Sequence, residues 1–171
     1  MKNNRLVAIL MVIVLALSIS ALILPESEYN VSGGNLLLKV SYNKDAYYWG
    51  ISEHTSVNAR TIYSRDYSNS TYWWNEKSDN LVNYFLVSLG GIILAIAGSL
   101  GAVIASFGKR KKNEIRALSL IAGVGSLLAV IFFIVGNNDL ENKFGVTFSL
   151  YFGFYLTVIN IVLSFIATAI S

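Results

Sequence analysis

Long apolar runs alternate along this chain with segments of a different texture. Residues 7–24, 84–107, 117–136 and 148–170 contain no Asp, Glu, Lys, Arg or His. A bilayer core about 30 Å thick needs about 20 mostly apolar residues per helical crossing. Each of the four runs meets that length, and a helix satisfies its own backbone hydrogen bonds, as lipid requires. The pattern predicts a mainly α membrane protein. Its core is a four-helix transmembrane bundle, with a small extracytoplasmic antiparallel β-sheet between the first and second helices. The boundaries read as a basic N-terminal segment and first span over 1–24, a β domain over 25–83, and a second span over 84–107. A basic loop over 108–116, a third span over 117–136, a short outer loop over 137–147 and a fourth span over 148–171 follow.

The 25–83 segment is too long for a mere connector. Tyr29, Tyr42, Tyr47, Tyr48, Trp49, Tyr63, Tyr67, Tyr72, Trp73 and Trp74 crowd it, and disordered linkers are poor in aromatics. Aromatic and β-branched residues between Asn/Ser/Gly clusters predict strands. The expected runs are 35–42, 46–52, 59–67 and 70–74. The first opens after the turn signal Ser32-Gly33-Gly34 and closes at a turn over Asn43-Lys44-Asp45. Trp49, Trp73 and Trp74 are candidate partner-facing or membrane-interface aromatics. Asn30-Val31-Ser32 and Asn69-Ser70-Thr71 match the acceptor pattern for N-glycosylation at Asn30 and Asn69.

Charge orients the spans. Lys2 and Arg5 precede the first run, and Lys109, Arg110, Lys111, Lys112 and Arg116 fill the loop between the second and third. With four crossings both clusters fall on one side, and basic loops face the cytoplasm. Both termini are therefore expected inside a multi-pass protein of the cell membrane, with Lys109–Lys112 acting as topogenic residues. Those lysines and arginines serve orientation, so the net charge of +3 does not point to nucleic acid. The first run reads as an uncleaved anchor. The small residues Ser18-Ile19-Ser20-Ala21 also fit a signal-peptide cleavage site, which would leave three spans.

The spans carry small-residue spacings suited to close helix packing in lipid. Gly91, Ala95 and Ser99 lie at i, i+4, i+8; Gly98, Ala102 and Ser106 repeat the pattern, and Gly101 pairs with Ala105. In the fourth span, Ser149, Gly153, Thr157, Asn160, Ser164 and Thr168 fall on one helical face. Asn160 is the strongly polar side chain deep in a span, and its amide needs a partner there.

Composition removes whole classes of chemistry. The chain is 54% hydrophobic and 13% charged, with one histidine and no cysteine. Disulfides, thiolate metal sites and iron–sulfur clusters are excluded. One histidine cannot supply a bis-histidine haem site. His54 beside Glu53 falls short of a three- or four-ligand metal site and reads as a surface pair. No catalytic, cofactor-binding or metal-ligating residues emerge, and no cofactor is expected.

The order of parts resembles that of the claudins and their relatives, among them the peripheral myelin protein group and the gamma subunits of voltage-gated calcium channels. Tyr48-Trp49-Gly50 stands roughly where their first outer loop carries a tryptophan-containing motif. The resemblance implies four spans, internal termini and a β-sheet built from the first outer loop. Claudins carry a cysteine pair in that sheet, and this chain has none. The expected function is that of a non-enzymatic structural or accessory membrane protein. Its partners would be the lipid bilayer and other membrane subunits or further copies of itself. The alternatives are an oligomeric channel or transporter using the polar stripe of the fourth span, or a non-catalytic subunit of a membrane enzyme or redox complex.

Overall fold

The computed structural model describes residues 2–34, 38–59, 63–72, 80–108, 111–144, 147 and 149–171. It is mainly helical. The helices are α1 (Lys2–Ile23), α2 (Asn80–Phe107), α3 (Lys112–Phe144) and α4 (Phe152–Ile170). Each contains a stretch long and apolar enough to cross a membrane: Asn4–Ile23, Val82–Phe107, Lys112–Asp139 and Phe152–Ile170. α1 stops before Pro25, whose missing N–H and fixed φ cannot continue a helix. α3 outruns its expected end at residue 136. No Pro or Gly interrupts Asn137–Phe144, so the helix carries on through its polar tail, which includes Asn137, Asp139 and Glu141.

The helices run up and down, each packing on its chain neighbours, and α1 closes the ring on α4. The α2–α3 seam is the tightest. A Cβ built on Gly91 would stand 2.7 Å from both Ala129 N and Gly125 O, and one on Gly98 would stand 2.7 Å from Ala122 N. Gly125 returns the contact, 2.7 Å from Ala95 N and Gly91 O. Backbone thus lies against backbone, the arrangement by which helices associate where lipid removes any hydrophobic drive. Ser88 Oγ donates across the seam to Ala129 O at 2.6 Å.

Two apolar clusters fill the bundle. Val7, Met11, Val14, Ala102, Ile115 and Ala167 are buried toward the end that holds the α2–α3 loop. Ala21, Phe85, Ile92, Phe133, Phe154 and Leu156 are buried toward the other end, together with Ala46 and Tyr48 from the sheet. Outward positions such as Leu6, Ile9, Ile93, Ile104, Ile131 and Val162 stay exposed and aliphatic.

The sheet is an antiparallel meander: β1 (Ser27–Gly34), β2 (Leu38–Tyr47), β3 (Gly50–Ala59), β4 (Tyr63–Tyr72) and β5 (Ser149–Leu150), in the order β4-β3-β2-β1-β5. Three features differ from the sequence expectation. The runs expected at 59–67 and 70–74 are not separate strands: β4 runs unbroken over Tyr63–Tyr72, with Asn69 inside it opposite Glu53. β1 occupies residues read as lead-in and turn. The turn expected at Asn43-Lys44-Asp45 lies inside β2, where Asn43 pairs with His54 and Asp45 with Ser52. The chain instead reverses at Tyr48-Trp49, with Tyr47 opposite Gly50. Asn and Asp favour turns locally, but placing the turn further along, at Tyr48-Trp49, buries Tyr48 completely in the bundle. Tertiary burial overrides local turn propensity. β5 comes from the segment before α4 and pairs with Ser27 and Glu28, closing the β1 side of the sheet.

Candidate functional site at the junction of sheet and bundle

Glu26 follows α1 directly, one residue beyond Pro25. Its main chain ties three elements together. Its N–H donates to Ala46 O (2.8 Å), and its carbonyl accepts from Tyr151 N (2.8 Å). The Pro25 carbonyl accepts from Gly153 N (3.1 Å). The first turn of α4 leaves backbone N–H groups without helical partners, and this linker supplies acceptors for two groups there. The Glu26 side chain is carried inward, with no exposed surface.

The carboxyl lies on the backbone of Gly153. A Cβ there would overlap Glu26 Oε1 and stand 2.8 Å from Pro25 O. Position 153 therefore requires glycine for close approach, not for backbone freedom. Tyr48, at the hairpin tip, comes in beside the carboxyl. Its hydroxyl donates to Thr157 Oγ1 at 3.0 Å, and Thr157 Oγ1 donates to Gly153 O at 3.2 Å. With the Tyr48 proton committed to Thr157, neither carboxyl oxygen of Glu26 has a hydrogen-bond partner among the described residues. Burial pushes the Glu26 carboxyl up to about 9, and the neighbouring Tyr48 hydroxyl offsets only part of that rise. Burial, and then the charge of Glu26, hold the Tyr48 phenol well above its usual range. Glu26 is thus a neutral carboxylic acid at pH 7.

The rim of the junction is also bonded. Ser27 Oγ donates to Asn137 Oδ1 at 2.8 Å, and Asn137 Nδ2 donates to Glu141 Oε1 at 3.3 Å. These bonds link β1 to the polar end of α3. The Tyr48 ring packs edge-on against Phe133, which packs edge-on against Phe85.

The polar face of α4 continues inward from this site. Gly153, Thr157, Asn160 and Ser164 are all buried. Asn160 Nδ2 donates to Ser18 Oγ at 2.9 Å, and Ser18 Oγ donates to Val14 O at 2.8 Å. Asn160 Oδ1 and the Ser164, Ser119 and Ser126 hydroxyls are buried without partners among the described residues. Thr168 donates back to Ser164 O, and its carbonyl accepts from Arg116 Nε at 3.2 Å. Ser149, placed by its spacing at the head of this face, stands before the helix, exposed in β5 opposite Glu28. Because Asn160 satisfies only one side of its amide, Asn160→Leu should cost no more than the roughly 0.6–1.7 kcal/mol seen for interhelical polar bonds in membranes. Thermal unfolding in detergent measures this, and a collapse of the fold would contradict it.

The other sequence candidates are dispersed. Gly91 and Ala95 face α3, while buried Ser99 donates to Ile96 O within its own helix. Trp49 is half-buried and stacked on Tyr47, with ring centroids 4.6 Å apart. Asn30 lies in β1 opposite Asn43, and Asn69 is exposed on β4. Lys111 and Lys112 are exposed at the end of the bundle away from the sheet. Trp73, Trp74, Lys109 and Arg110 lie outside the described residues. His54 is exposed, and among the described residues no three His, Cys, Asp or Glu side chains gather as metal ligands would.

Set against known proteins, the chain matches no protein-family model and no curated protein.

Sequence reasoning missed Glu26, Tyr48 as a plug, Ser18 and Asn137. For Glu26 a signal existed: an acidic residue directly after the helix-ending proline, at the rim of an apolar run. Loop glutamates are mostly solvated, and nothing local marks this one as buried.

Proposed function

We propose that this chain is a structural or accessory protein of the cell membrane, with cytoplasmic termini and an extracytoplasmic sheet. It would assemble with a larger membrane complex or with further copies of itself. The plan is claudin-like in architecture. The observation that carries the reading is the direction of the α4 polar face. Thr157 and Asn160 are engaged by Tyr48 and Ser18 of the same chain. A pore formed between subunits would need that face turned outward. What the helices offer outward is largely aliphatic and aromatic, suited to lipid or to other membrane helices.

Two further features support assembly and orientation. The sheet ends on β4, a long edge strand whose Ser68, Asn69 and Ser70 are exposed, and open edges invite pairing with another chain. Arg5, Lys111, Lys112 and Arg116 lie at the bundle end away from the sheet, and basic residues face the cytoplasm. The test is mild-detergent extraction from native membranes, native-gel separation and mass spectrometry of the co-migrating chains. A defined complex or a homo-oligomer is the expected result, and co-migration with catalytic or redox subunits would make this their accessory subunit. A lone monomer under the mildest conditions would contradict the reading.

A further inference from the structure

We propose that Glu26 is a proton-binding site whose occupancy holds the β2–β3 hairpin tip in the bundle, so that loss of the proton releases it. The argument begins with space. The carboxyl is fully buried and rests on the Gly153 backbone so closely that a single methyl would overlap it. A metal cation needs several oxygen ligands around it at 2 Å or more. Packing this close leaves a proton as the ligand that fits.

The second step is charge. Around Glu26, the Tyr48 hydroxyl alone favours a carboxylate, and it offsets only part of the effect of burial. α4 presents Gly153 and Thr157, and the β2–β3 hairpin tip presents Tyr48, whose hydroxyl already donates to Thr157. From β1 the nearest charged side chain is Glu28. On the α3 side, the hydrogen bonds from Ser27 through Asn137 end on Glu141. Both are acidic. Among the described residues no cation acts on Glu26, and a buried, unpaired carboxylate is strongly disfavoured.

The third step is linkage. The folded carboxyl titrates near 9 against an ordinary 4.5. Between those values a released Glu26 is ionised while the seated one keeps its proton. Seating is therefore strongest below about pH 4.5. It weakens as pH rises, by up to about tenfold per unit, and levels off above about 9. The elements that separate on release are those joined here: Pro25–Ser27, Ala46–Tyr48 and the first turn of α4.

The absence of cysteine from the chain makes the test direct. Ala46 is buried and Ser68 exposed, so Ala46→Cys reports release and Ser68→Cys reports the intrinsic pH response of a thiol. The full chain in detergent is labelled with a maleimide between pH 6 and pH 9, and the Ala46→Cys rate is divided by the Ser68→Cys rate. The expected ratio rises with pH toward tenfold per unit, and adding Glu26→Gln abolishes the rise. A flat ratio in the otherwise wild-type chain overturns the proposal. So does a rise that persists in Glu26→Gln, which would assign the response to another group such as Asp45, itself raised by burial. Should Glu26→Gln fail to fold, Asp45→Asn decides: a slope near one proton that persists there upholds the site, and a slope that disappears there, or no slope in the otherwise wild-type chain, removes it.

Discussion

Gly91→Ala should destabilise the bundle, whereas Gly90→Ala, one residue earlier on the same helix, should be neutral or stabilising. Alanine is normally the better helix former, by about 0.8–1.0 kcal/mol, so both changes gain the same propensity. They differ in what the new methyl meets. At Gly90 nothing lies within 4 Å. At Gly91 the methyl stands 2.7 Å from two backbone atoms of α3, Ala129 N and Gly125 O. Backbone cannot rotate away as a side-chain tip can, so the helices must part. Overpacking of this kind costs about 1–3 kcal/mol. Gly98→Ala meets Ala122 N and Leu118 O in the same way, and the Gly91/Gly98 double substitution should be the most damaging of the set. Thermal unfolding in detergent should rank Gly90→Ala at or above wild type, the single seam variants below it, and the double variant last. Equal stabilisation by Gly90→Ala and Gly91→Ala would mean that α2 and α3 are not in backbone contact.

Tyr48→Ala should be the most damaging single truncation in the sheet, and Tyr48→Phe a mild one. The ring is wholly buried against Phe133 and the other apolar residues at that end of the bundle. Its removal leaves a cavity where sheet and helices meet, and aromatic truncations of this kind cost about 3–5 kcal/mol. Phenylalanine keeps the ring and loses one hydrogen bond, worth about 0.5–1.5 kcal/mol, while Thr157 keeps its own bond to Gly153 O. The two substitutions also separate plug from hydrogen bond as the main role of Tyr48. A large loss with phenylalanine would reverse that assignment. Thermal unfolding measures the stabilities, and protease sensitivity of the hairpin in folded protein measures the seating.

The helices were legible because lipid imposes a coarse and demanding pattern: a long run without charge reads as a span whatever its neighbours do. The inward face of α4 was legible for a similar reason. Thr157, Asn160 and Ser164 follow helical spacing, and a polar face in an apolar helix turns away from lipid. Partners were not legible. Nothing near Asn160 points to Ser18, and the spacing around Gly91 does not choose α3 over α1. The sheet was legible in kind but not in register. Asn43-Lys44-Asp45 carries better turn chemistry than Tyr48-Trp49, and the choice between them depends on a cavity built by Phe85, Phe133 and Phe154 far along the chain. Glu26 was hidden by the same non-local dependence. Its neighbours in sequence are those of an ordinary loop glutamate, and its burial is set by Tyr48 and Gly153.

Everything proposed for the outer surface depends on which side of the membrane holds the sheet. Single cysteines at Ser68 in β4 and Asn113 at the start of α3, both exposed, place the two ends of the bundle against a membrane-impermeant maleimide. In intact cells Ser68→Cys should react at once, and Asn113→Cys only after permeabilisation. Reaction of Asn113→Cys in intact cells with Ser68→Cys protected would invert the topology. Reaction of both before permeabilisation would contradict four crossings with the two ends on opposite sides.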